Sequence, residues 1–200
     1  VDPIVAAAQV ITGLQTIVSR QVDLTEDPAV VTVGAIKGGV RENIIPDEVH
    51  MKGTIRTFND AAREDIGRRL QATATHIACA CGARADVRIR KGYPVTVNHA
   101  ELTKWSIPTL ERIAGQRNVM FVPKILGGED FSYFQQQIPG VFYFIGCAPA
   151  GKTAGIAPAN HSPRFFVDEA ALILGLRTLA SLALDFLAAP PKLSPPRARA

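Results

Sequence analysis

The first twenty residues carry an apolar pattern of helical period. Asp2 and Pro3 suit the cap and first turn of a helix. Ala7, Ile11, Leu14 and Val18 follow at spacings of four, three and four, one apolar face of a helix ending near Arg20. Residues 23–28 read as a polar turn. Residues 29–36, rich in valine, read as a strand closed by Gly38-Gly39, and a loop runs on to Pro46. Over 47–58 the period is two: Val49, Met51, Gly53 and Ile55 share one face, and His50, Lys52, Thr54 and Arg56 share the other. Residues 60–80 return to helical spacing through Ile66, Leu70, Ala74 and Ile77. Residues 85–90 alternate again, predicting a third strand with Val87 and Ile89 on one side and Asp86, Arg88 and Arg90 on the other.

The order helix, strand, strand, helix, strand needs one strand in front to become a split βαβ unit of the ferredoxin-like kind. In such a unit the helices cover one sheet face. The other would carry His50, Lys52, Arg56, Arg88 and Arg90, a basic face that reads first as solvated surface and second as a binding face. Near Tyr93-Pro94 the character changes. The pattern predicts a helix over 98–115 with Trp105 on it, a short strand at 120–122, a helix over 129–137 opened by the turn GGEDFS, and a buried strand at 141–145. A Gly- and Ala-rich loop then leads to His161. Asp168 is the expected cap of a last helix, and 188–200 read as a flexible, Pro-rich basic tail.

Composition narrows this picture. A chain of 200 residues with 47% hydrophobic and 20% charged residues is long enough for one large or two small domains. A net charge of +4 is no nucleic-acid signature by itself, and an RNA-reading sheet would want stacking aromatics where 47–58 offers only Phe58. Cys79, Cys81 and Cys147 form no disulfide framework; Cys79 and Cys81 read as small, half-buried residues at a helix end. The most apolar stretch, 170–187, contains Arg177 and Asp185 and reads as a buried or amphipathic helix, so no membrane partner is expected and a cytoplasmic location is. The chain opens at Val1 on a helix start, without Met, which predicts a piece of a longer protein.

The chain has four histidines. His76 lies in a helix and reads as structural. His99 sits at a helix start, beside a cap. His50 belongs to the basic sheet face. His161 lies in a loop before a capped helix, where metal ligands gather. In GGEDFS, Glu129 and Asp130 suit a helix N-terminus, while Gly127 and Gly128 would allow close backbone approach to a ligand. Asn43, Pro46 and Arg56 read as loop, turn and surface residues, or, for the Arg fork and the Asn amide, as a carboxylate clamp.

The segments DPIVAAAQVITGLQTIVSR, VVTVGAIKGG, NIIPD, GTIRTF, GGEDFS and HSPRF with DEAAL, in this order, resemble the zinc-peptidase-like amidohydrolases that include hippurate hydrolase, N-acyl-amino-acid amidohydrolases and indole-acetyl-amino-acid hydrolases. The resemblance covers nearly all of 1–187. It implies an α/β chain: an α+β, ferredoxin-like lid or dimerisation domain over 1–95 lacking its first strand, then the C-terminal part of an α/β catalytic domain over 96–187. It implies that His161 is a metal ligand and that Asn43, Arg56, Gly127 and Gly128 contact substrate, in some members across a dimer. The complete enzyme would use a pair of divalent metals (zinc, manganese or cobalt) to hydrolyse the amide bond of small N-acyl amino acids of the hippurate kind. The other metal ligands and the catalytic glutamate lie upstream of the lid in the family. This chain is therefore expected to be inactive alone, not to bind the metals stably, to associate with itself through the lid, and to work with a separate N-terminal metal-binding half. The competing expectation is a non-catalytic association module.

Overall fold

The computed structural model describes residues 1–149 and 157–195. They divide into two compact units. One comprises 1–95 together with 125–129; the other comprises 96–124 and the described residues from 130 on.

In the first unit, helix α1 (Pro3–Gln21) starts where the Asp2 carboxylate accepts the Ile4 N–H at 2.9 Å. Its buried stripe is Ala6, Ala7, Val10, Leu14 and Ile17, so the apolar face is rotated by part of a turn from the one anticipated, and Ile11 and Val18 lie at its margin. Helix α2 (Asp60–Ala80) is capped by Asn59, whose Oδ1 accepts from the N–H groups of Ala61 and Ala62. It ends in a Schellman motif: Gly82, at φ 72°, takes the left-handed conformation, and the Ala83 N–H reaches back to the Ala78 carbonyl at 2.8 Å. Cys81 is half-buried at this end, but Cys79 is exposed, because the last turn of α2 points it outward.

Strands β1 (Ala29–Gly38) and β2 (Val49–Thr57) form an antiparallel pair. The pairing is Val31 with Ile55 and Val33 with Gly53, then Ala35 with Lys52 and Ile36 with Met51, so Gly34 is the extra residue of a β-bulge. The bulge changes the parity of β1 and leaves that of β2 intact. Val31, Val33, Met51 and Ile55 pack with Val10, Leu14, Ile17, Ile66 and Ala74 into one core, in which Ile17 and Ile66 are wholly buried. Arg56 is exposed, as the alternation of β2 requires.

Residues 85–90 are not a strand. Val87 packs on the core as expected, but a strand exists only where a neighbour pairs its backbone, and among the described residues only β1 and β2 pair. The anticipated three-stranded sheet is thus two-stranded here. In a split βαβ unit the last strand pairs with the first, and no such first strand is among the described residues.

In the second unit, α3 (Ala100–Ala114) and α5 (Ala170–Ala188) pack together. Trp105 meets Phe186 edge-on at 5.7 Å. The Asp185 carboxylate accepts from the Thr109 hydroxyl at 2.5 Å and from the Arg112 guanidinium at 2.6 Å. Asp168 does serve the start of α5, accepting from the Ala170 N–H at 3.0 Å. The helix expected over 129–137 is only α4 (Phe131–Gln135). Residues 120–122 and 141–145 are not strands, again for want of a pairing segment. At Phe142 a side-chain amide stands in for one: Asn98 Oδ1 accepts the Phe142 N–H and Asn98 Nδ2 donates to its carbonyl, both at 2.7 Å. In the tail, the Glu101 carboxylate accepts the Ser194 N–H at 2.8 Å.

Helix α5 is not buried. Thr178 is its one buried residue, while Leu172, Ile173, Leu176, Leu179, Leu184 and Leu187 are exposed. By length and composition it could cross a membrane, but it carries Arg177 and Asp185, which hydrocarbon would penalise.

Two measurements check this architecture. A Cβ at Gly53 would lie 2.2 Å from the Thr32 carbonyl oxygen, a backbone atom, whereas one at Gly34 would meet nothing within 4 Å. Gly53→Ala should therefore cost about 1–3 kcal/mol in a urea melt, and Gly34→Ala should be near neutral; equal effects would mean the strand register is wrong. The Thr109 hydroxyl first, and then Arg112, hold the Asp185 carboxyl below the usual aspartate range. A depressed folded-state pKa gives stability that is present above the unfolded value, about 3.9, and lost as pH falls through the lower folded one. Acid titration followed by fluorescence of Trp105 should show this loss, and Asp185→Asn should remove it.

Candidate functional site

Arg56 stands near the end of β2, on the face away from the helices, opposite Val30 on β1. One guanidinium nitrogen, Nη1, donates to the Leu126 carbonyl at 2.6 Å. Leu126 leads directly into Gly127-Gly128, so the structure brings together two of the features singled out in the sequence: the Arg fork and the glycine loop. Neither glycine is left-handed, so the pair is not there to form a positive-φ turn. A reason for Gly128 is visible beside it. A Cβ there would lie 3.2 Å from Cδ2 of Tyr93, tighter than ordinary contact.

Tyr93 and Arg63 are residues that the sequence reading passed over. The Tyr93 carbonyl accepts from Arg63 Nη1 at 2.9 Å, and Arg63 is in turn paired with Asp60 at 2.8 Å in the first turn of α2. The change of character at Tyr93-Pro94 was the available signal. Its partner across the sequence, Gly128, was not readable from spacing.

Asn43 is not brought to Arg56. It is exposed in a turn of the β1–β2 loop, and its side chain makes no hydrogen bond among the described residues. β2 begins after that loop at Val49 and reaches Arg56 at its other end; a strand of that length spans about 23 Å. A single copy therefore holds the two residues at opposite ends of the hairpin.

His161 is exposed in a turn at φ 68°. Left-handed backbone is uncommon outside glycine, although histidine is among the residues enriched there. Among the described residues no group of three His, Cys, Asp or Glu side chains could hold a metal. A zinc site takes about four ligands, so His161 by itself does not fit a metal pair, and the donors described in this chain do not make one.

The other histidines have local roles. His99 caps α3: its Nδ1 accepts the Leu102 N–H, and its Nε2–H then donates to the Ser194 carbonyl at 3.1 Å. His50 pairs with Glu48 at 3.0 Å, and both are exposed. His76 is exposed on α2 and is not a core residue. Arg88 pairs with Asp86 at 2.8 Å, so the basic residues are partly neutralised by acids beside them, as a solvated face would be.

The chain is 35% identical over 187 residues to thermostable carboxypeptidase 2 of Saccharolobus solfataricus, covering 93% of this chain and 46% of that one. It is 36% identical over 191 residues to the IAA-amino acid hydrolase ILR1-like 4 of Arabidopsis thaliana, covering 94% and 43%. Among solved structures, the Bacillus subtilis YXEP protein, a dinuclear metal-binding peptidase of the M20 family, superposes with a TM-score of 0.68 at 30% identity, over 94% of this chain and 47% of that one. The chain thus spans about half the length of the curated relatives it matches. With its residues 6–185 matched by the model of peptidase family M20/M25/M40, the chain belongs to that family.

Proposed function

We propose that this chain is the C-terminal part of a metal-dependent amidohydrolase that cleaves the amide bond of N-acyl amino acids of the hippurate kind. The observation that carries the reading is the meeting of Arg56 with the Leu126–Gly128 loop on an exposed sheet face. A guanidinium beside glycine backbone is a fit receptor for a carboxylate. The relatives add to this, since a carboxypeptidase and a hydrolase of IAA–amino acid conjugates both act on an amino acid joined through an amide.

In this reading residues 1–95 serve as a ferredoxin-like lid and dimerisation domain, and 96–187 complete the catalytic domain. Arg56, Gly127 and Gly128 hold the substrate carboxylate. Asn43, at the other end of the hairpin, serves the site of a second copy, which accounts for its distance from Arg56 within one chain. His161 supplies one metal ligand. The remaining donors and the general base come from an N-terminal half, upstream or separate, and that half covers the exposed leucines of α5. The chain's own chemical contribution is to bind and orient the substrate. The second reading, a non-catalytic association module, is favoured by the same exposed apolar face of α5 and by the unpaired edges of a two-stranded sheet.

The purified chain should show no turnover of N-acetyl amino acids with added zinc, manganese or cobalt. Co-expression with the N-terminal half of an M20 relative should yield metal-dependent turnover that His161→Ala abolishes. Association of the two halves without turnover would favour the module reading instead.

In that complemented enzyme, Arg56→Lys should lower kcat/KM by about tenfold to a hundredfold, the usual loss for a charge-assisted hydrogen bond, with the thermal melt unchanged. Asn43→Ala and Arg56→Ala chains, each inactive, should regain part of the activity when mixed, because a mixed dimer has one intact site. Failure of mixing to restore activity, with dimers verified, would place both residues in the same copy's site.

A further inference from the structure

The geometry points to Arg56 and Tyr93 as positioning residues that hold the glycine loop in place before any substrate arrives. This rests on the reading that the loop contacts substrate, and it adds a role for Arg56 distinct from anion binding and a role for Tyr93, which has had none. The loop 125–129 belongs to the same compact unit as β2 and the Tyr93 segment, although it is far from both in sequence. It has no helix or strand of its own to fix it. Contacts at Leu126 and at Gly128 hold it instead. At Leu126, the carbonyl accepts from Arg56 Nη1 at 2.6 Å. At Gly128, the backbone lies against the Tyr93 ring so closely that a Cβ would come within 3.2 Å of it.

Both anchors are themselves held. Arg56 is fixed by the β2 ladder opposite Val30. Tyr93 is held by its carbonyl, which accepts from Arg63 at 2.9 Å, and Arg63 is braced by Asp60 in the first turn of α2. The chain of contacts therefore runs from the capped start of α2 to the Tyr93 ring and on to Gly128, and separately from the sheet to Leu126. Among the described residues the Leu126 carbonyl is the one acceptor that meets the Arg56 guanidinium. A planar guanidinium has five N–H donors, so one arm can secure the loop while the others remain for an anion. Gly127, between the two anchors, is exposed. Fixing such a loop in advance removes an ordering cost that substrate binding would otherwise meet.

The test uses nuclear relaxation of backbone amides in the full chain without metal or substrate, so its result is independent of whether the complemented enzyme hydrolyses anything. In the unaltered protein the amides of 125–129 should have order parameters near those of rigid backbone, about 0.85. Arg56→Gln and Tyr93→Ala should each lower them toward about 0.6, while the amides of α1 and α2 keep theirs. Arg56→Lys, whose ammonium can still donate to the Leu126 carbonyl, should recover part of the order. The inference is overturned if the loop is already mobile in the unaltered chain, if its order is indifferent to both Arg56→Gln and Tyr93→Ala, or if α1 and α2 loosen to the same extent as the loop.

Discussion

Ile55 and Arg56 are adjacent on β2, and the pleat of the strand sends them to opposite faces. That alternation is the constraint on which the rest of the first unit depends. With Ile55 turned toward the core beside Val31, Met51 shares its face and both meet the stripes of α1 and α2. With Arg56 turned away, the guanidinium is free to reach the loop before the glycine pair. A slip of one residue would bury the charge and expose the isoleucine together. Core and site are thus selected by the same register, and neither can be changed without the other.

Two glycines make that register attainable. Gly34 supplies the bulge that restores the match between β1 and β2 after Val33, and Gly53 lets β1 come close where a side chain would strike the Thr32 carbonyl. The bulge leaves β2 with unbroken parity over its whole length. Arg56 therefore sits on the face predicted by counting from Val49, even though β1 opposite it is irregular. The irregularity is confined to the strand that carries no candidate site residue.

These facts explain what was legible in the sequence and what was not. Helices α1 and α2, both strands and the face of Arg56 follow from local period and caps, which a chain carries within a few residues. Residues 85–90, 120–122 and 141–145 have strand-like composition but no strand. Whether an extended segment becomes a strand depends on a pairing partner that local pattern cannot supply, and at Phe142 a single Asn98 amide takes that part. The candidate site was legible as residue types, since an Arg fork and a double glycine are distinctive. Its assembly was not: Arg56 and Leu126 lie 70 residues apart, and the contact of Tyr93 with Gly128 leaves no periodic trace. The separation of Asn43 from Arg56 was implicit in the length of β2, but only for a reader who had already fixed both ends of the strand.

The two units differ in how they satisfy their apolar residues, and this bears on function. The first has a closed core with Ile17 and Ile66 wholly buried. The second buries Ser106, Thr109, Ser132 and Thr178, and among its described residues no hydrophobic side chain is fully buried. Its contacts combine aromatic pairs, such as Trp105 with Phe186 and Phe131 with Phe142, with polar ones: Asp185 with Thr109 and Arg112, Asn98 with Phe142, and the Thr178 hydroxyl accepting from Tyr143. Burying a leucine side chain contributes roughly 1.5–3 kcal/mol. Seven large apolar residues on α5, Phe186 among them, are exposed, a reserve of stabilisation that is realised only when something covers them. Under the proposed reading, association covers this helix, and the unit bearing His161 gains that stabilisation.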